Sequence, residues 1–156
     1  MKYQHEFRWA IGLTAMSTFW LVIQYFGGLH SHRIELHPLL GILWYVFAFV
    51  LLYFSLKQLR SKQDNEYLDF WQGVQSVTMV AVMSVPMHLI LYTAYYSTLG
   101  SVFFESAITF SAQIGLPTDE AEQYFNLPAL LVRETLGIIS SGFIISLLSS
   151  MFLKSS

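Results

Sequence analysis

Four stretches of this chain are almost free of charge, and that constrains its fold more than any other feature. Residues 9–29, 38–56 and 135–153 hold no charged side chain, and between 70 and 104 His88 is the only ionisable group besides tyrosines. An α-helix needs roughly 20 residues to cross the ~30 Å hydrocarbon core of a bilayer. A soluble bundle would instead show polar faces recurring with the helical period, which these runs lack. The pattern predicts an all-α membrane protein, a single domain over 1–156. Its four transmembrane helices fall at about 9–29, 38–57, 70–97 and 128–153. Composition agrees: 54% of the 156 residues are hydrophobic and only 12% charged, with a mean hydropathy of +0.51. That is too apolar for an ordinary soluble domain.

The same composition excludes whole classes of function. With no cysteine, disulfides, thiolate metal sites and cysteine nucleophiles are absent. A net charge of -2 offers nucleic acid no basic footprint. The charged amino terminus followed by an apolar run looks like a signal peptide. The run is too long, however, and lacks a small-x-small cleavage site, so a retained first span is expected.

Lys and Arg set the expected orientation. Lys2, Arg8, Lys57, Arg60, Lys62 and Lys154 fall on one side of an alternating bundle, against Arg33 and Arg133 on the other. The positive-inside rule then places both termini and the middle loop in the cytoplasm. Trp9, Phe70 and Trp71 mark the inner interface; Tyr25, Tyr92, Tyr95 and Tyr96 mark the outer one.

The connection from 97 to 126 carries Glu105, Asp119, Glu120 and Glu122 but no Lys or Arg, so it faces outward. It predicts an amphipathic cap over about 100–126, made of two short helices. Ser101 caps the first, which ends at Gly115; Thr118 caps the second, with Asp119 and Glu120 in its first turn. Asn126 and Pro128 open the last span.

Several of these residues resemble an uncharacterised family of small four-span inner-membrane proteins, a domain-of-unknown-function family found mainly in Bacteroidetes. The resemblance covers nearly the whole chain. It is carried by Glu6, Arg8 and Trp9, by Gly28, Leu29, His30 and His37, by Phe70 and Gly73, by Pro86, and most specifically by PTDEAEQYFN at 117–126. His32 and the methionines of the third span fall outside it. The resemblance implies a four-span fold and a bacterial inner-membrane location, and no activity.

Three constellations bear on chemistry. His30, His32, Glu35 and His37 crowd the first outer connection. They form either a zinc-type ligand set or a structured polar rim, and zinc is the cofactor such a set would hold. Gln24, His88, Tyr92, Arg133 and Glu134 lie at similar depth in the outer half. Ionisable groups there need partners or water, so these residues form either a satisfied network or an outward-facing vestibule. Met79, Met83 and Met87 lead up to His88 as a soft stripe that would suit Cu(I), but its simpler use is to fill gaps in apolar packing. In the last span Gly137, Ser141, Gly142 and Ser146 are spaced for close helix approach, with Ala10, Thr14 and Thr18 as a facing surface. Pro86 should kink the third span.

No nucleophile with a base, phosphate loop or paired carboxylate appears. The expected function is therefore a non-enzymatic packing or accessory module. Its partners are the lipid bilayer and either a second copy or a larger membrane complex, with no nucleic acid. The alternatives are a transporter- or channel-like protein built on the vestibule, and a zinc-binding membrane protein.

Overall fold

A computed structural model describes residues 3–63 and 67–153. Lys2 and Lys154, which entered the charge argument, lie outside the described residues. The described chain forms α1 (Gln4–Phe26), a 3-10 turn (Ile34–Leu36), α2 (His37–Arg60), α3 (Phe70–Tyr96), α4 (Val102–Gln113), α5 (Thr118–Tyr124) and α6 (Leu127–Leu153). It is all-helical, and α1, α2, α3 and α6 are long and apolar enough to cross a membrane. The first helix begins five residues before the uncharged run and so draws His5, Glu6 and Arg8 into its first turns.

The helix ends follow local rules. Gly28, at φ 71, closes α1 in a left-handed turn. Its N–H reaches the Tyr25 carbonyl and the Leu29 N–H reaches Gln24, the paired bonds of a Schellman motif. A side chain at Gly28 would also run into the His32 ring. Gly115, at φ 93, ends α4 in the same way, with Leu116 N–H bonded to the Ser111 carbonyl. Asn126 accepts from the Ala129 N–H and so caps α6. Two expected caps are not made. Ser101 takes a helical conformation with no side-chain bond, and Thr118 is the first helical residue of α5 behind Pro117. Asp69, which the sequence reading passed over, accepts from Trp71 and Gln72 and caps α3. The third span stays one helix through Pro86.

The span α3 packs most extensively on α6 and then on α1, while α2 leans on α6 and α1. Helices in lipid gain little from hydrophobic contact, so close approach and interhelical hydrogen bonds hold them. Gly142 meets Ala81 with no room for a side chain between them, and Thr78 donates to Ser146 across the same seam. The small-residue stripe of α6 therefore divides. Gly142 and Ser146 face α3, whereas Gly137 and Ser141 look into a groove toward α2, where a Cβ on Gly137 would meet nothing.

Buried side chains fall into two clusters. Around the chain-terminus end they are aliphatic, among them Leu13, Leu52, Leu56, Val77, Val80 and Ile145. At the end holding the histidine loop they are largely aromatic: Tyr92, Tyr95, Tyr96 and Phe103, with Leu21 and Leu130.

Candidate functional site

At the histidine end the four spans part around a pocket of about 380 Å³. Gln24 contributes from α1, His37 from the start of α2, Tyr92 and Tyr96 from α3, and Arg133 and Glu134 from α6. Four of the five residues read from the sequence as a vestibule thus border one cavity. Their spacing explains this, since each sits within about two to three turns of its helix's end at this face of the bundle.

The fifth, His88, sits one layer deeper, in contact with the rings of Tyr92 and Trp44, which do border the pocket. Its Nδ1 lies 2.9 Å from the Ser84 carbonyl. A carbonyl only accepts, so Nδ1 carries the proton and Nε2 is left as an acceptor. Ser17 Oγ bonds Nε2. Ser17 therefore donates to His88, with the Leu13 carbonyl competing for the same proton. Thr14, expected on a packing face, instead lies 3.3 Å from His88 Nδ1. The polar layer under the pocket is satisfied internally.

The pocket itself is not. Gln24 is only 5% exposed, yet its carboxamide has no hydrogen-bond partner among the described residues. Glu134 likewise makes no hydrogen bond or salt bridge among them. Arg133 is held: its guanidinium carbon stands 4.2 Å above the centre of the Tyr124 ring, and it donates to the Tyr124 carbonyl. That cation–π contact ties α6 to α5 and carries the cap across the pocket mouth.

The histidine loop splits into two pairs. His30 is buried with Nδ1 2.6 Å from the Tyr95 hydroxyl, and its ring packs against His37, Tyr96 and Phe103. Its Nε2 has no hydrogen-bond partner among the described residues. Burial, and then the neighbouring His37, hold its pKa down to about 4. His32 and Glu35 instead line a separate groove against α4, together with Glu105. Among the described residues no three His, Asp or Glu side chains are grouped so as to hold a metal ion. His30 and His37 belong to the aromatic rim, and only His37 reaches the pocket.

Sequence reasoning missed the aromatic walls (Trp20, Trp44, Tyr45, Tyr124 and Phe125) and Gly41 between them. Trp20 and Gln24 stand one turn apart on α1, which was the available signal. It also missed a polar set at the opposite end, where Ser76 donates to Glu6 over 2.8 Å and His5 meets Ser55 over 3.3 Å.

A family model described as "Protein of unknown function (DUF4199)" matches residues 8–155. No curated protein and no solved structure matches the chain.

Proposed function

Because the chain belongs to the DUF4199 family, whose description assigns no activity, we propose its function from the site: a non-enzymatic multi-pass membrane protein that binds a ligand in the histidine-end pocket. One observation carries this reading. A nine-tenths-buried glutamine and a neighbouring carboxylate face a cavity, and neither makes a hydrogen bond or salt bridge among the described residues. A ligand seated in the cavity would give both groups hydrogen-bond partners that the chain does not supply.

In the same reading the chain sits in a bacterial inner membrane with both termini cytoplasmic and the pocket open to the outside. Support comes from Arg8, Lys57, Arg60 and Lys62 gathered at the terminus end, against the acidic cap at the other. The absence of cysteine gives a direct test. Gly41→Cys adds a thiol in the pocket where a side chain has open space, and Ser61→Cys places one at the opposite end. A charged, membrane-impermeant maleimide applied to intact cells should label the first and spare the second. Labelling of Ser61→Cys alone overturns the orientation; no labelling of Gly41→Cys from either side overturns the open pocket.

A second reading, an accessory subunit that packs with a copy of itself or with a larger complex, draws on α2. Its span is the most apolar of the four, at mean hydropathy 2.3, and the least buried, at 22%. Native mass measurement after mild extraction tests it, and a monomer without any co-purifying protein removes it.

A further inference from the structure

The pocket continues sideways. Ile42 and Tyr45 border it and also border a groove of about 540 Å³ along the seam between α2 and α6. On α6 the groove runs from Gly137 to Leu148, about 16 Å by helical rise. Its surface is almost wholly apolar. Ser140 and Ser141 donate to the Leu136 and Gly137 carbonyls of their own helix, so neither offers a free donor. Two glycines keep the path clear, because a Cβ at Gly41 or Gly137 would meet nothing within 4 Å.

At the head of this groove stand charges of both signs. Glu134 makes no hydrogen bond or salt bridge among the described residues, though it feels the charge of the adjacent Arg133, and Arg133 uses one N–H on the Tyr124 carbonyl and keeps others for a second acceptor. A charge at membrane depth is costly unless something pairs with it. One head group carrying both an ammonium and an anionic oxygen would meet both residues at once, which a neutral solute or a simple ion does not.

We propose that pocket and groove form one site for a bilayer phospholipid with a zwitterionic, amine-bearing head, of the phosphatidylethanolamine class, admitted laterally between α2 and α6. The ammonium meets Glu134 and the adjoining aromatic faces; the phosphate meets Arg133 as a charge-assisted acceptor. Gln24 hydrogen-bonds the head, and an acyl chain lies along the groove. This rests on the ligand-binding reading above and adds the ligand and its route.

Native mass spectrometry of the whole protein in detergent tests it, with phosphatidylethanolamine, phosphatidylglycerol and the soluble head O-phosphoethanolamine titrated separately. The expected result is a one-to-one phosphatidylethanolamine adduct at least tenfold tighter than that of phosphatidylglycerol. Glu134→Gln and Gly137→Leu should each weaken it tenfold or more. The open space at Gly137 lets the second variant fold, which an unchanged Tm confirms. Binding of the soluble head as tight as that of the lipid, with Gly137→Leu silent, overturns the lipid proposal and leaves the pocket reading standing. No adduct with any of the three, and no protection of Gly41→Cys from maleimide by any of them, overturns both.

Discussion

The terminus half and the histidine half of this bundle are made from the same four helices, yet they differ in what surrounds their polar groups. In the terminus half an aliphatic core closes around paired groups: Glu6 with Ser76, Trp9 with Gln58, Thr78 with Ser146. His5 Nδ1 and the Ser150 hydroxyl are its buried exceptions. In the histidine half aromatic rings surround a space, and Gln24, Glu134 and His30 Nε2 stand without hydrogen-bond partners among the described residues. The contrast teaches where the molecule pairs its polar groups. The terminus half pairs Glu6 even beside a groove of about 790 Å³, and the histidine half turns unpaired groups toward a pocket of about 380 Å³.

The sharpest way to break the comparison uses two glycines one and a half turns apart on α6. Leucine at Gly142 would overlap Ala81 and force α3 and α6 apart, a cost of about 3 kcal/mol or more. Leucine at Gly137 enters open space and should change stability by no more than about 0.5 kcal/mol. Equilibrium unfolding in mixed micelles measures both. Equal losses would mean that the α2–α6 groove is packed shut and that the two halves do not differ.

This pair also marks the limit of what the sequence could reveal. The four spans were legible because bilayer thickness imposes a length that composition records directly. Gly115 and Asn126 were legible as helix ends because a left-handed turn and a side-chain cap each need particular residues. The direction in which each face of α6 points was not legible. With every side of the helix apolar or small, nothing in the period separates the face toward α3 from the face toward α2. Gln24, Tyr92, Arg133 and Glu134 were found because polar residues are rare at that depth. The aromatic walls escaped because Trp and Tyr are expected near both membrane surfaces whether or not they line a pocket. His88 was grouped with the pocket by its depth alone; its partners on α1, Thr14 and Ser17, become visible only once α1 and α3 are seen side by side.

Acid sharpens the comparison next. The folded protein holds His30 neutral to about pH 4, while in the unfolded chain an imidazole titrates near 6.5. Above pH 6.5 both states are neutral and the contribution is complete. As the pH falls from 6.5 to about 4 the unfolded chain takes up a proton that the folded chain refuses, so stability is lost, by roughly 3 kcal/mol at most. Below that window both states are protonated and the loss stops. His30→Phe should flatten the fall in Tm between pH 7 and 4. A slope unchanged in this variant would place the acid sensitivity elsewhere.

A smaller effect is expected at the paired end. Ser76→Ala removes the donor to the buried Glu6 carboxylate and should cost about 2 kcal/mol, in the range for hydrogen bonds to charged groups. Glu6 also borders a wide groove with Gln72 and Gln75. If water there replaces the serine, the loss shrinks toward zero and Glu6 joins Glu134 as an available carboxylate.

The least expected change is the most diagnostic. Gln24 is as deeply buried as Leu21 one turn earlier, each 5% exposed, yet its carboxamide bonds to nothing else among the described residues. A glutamine kept for packing would be worth its hydrogen bonds, and replacing it would weaken the fold. A glutamine kept for a ligand is a local cost in the empty protein, so Gln24→Leu should leave stability unchanged or raise it by up to about 1 kcal/mol. Thermal unfolding of the purified protein, stripped of bound lipid, measures this. A loss above 1 kcal/mol would show that the histidine half, too, keeps its polar groups for the fold.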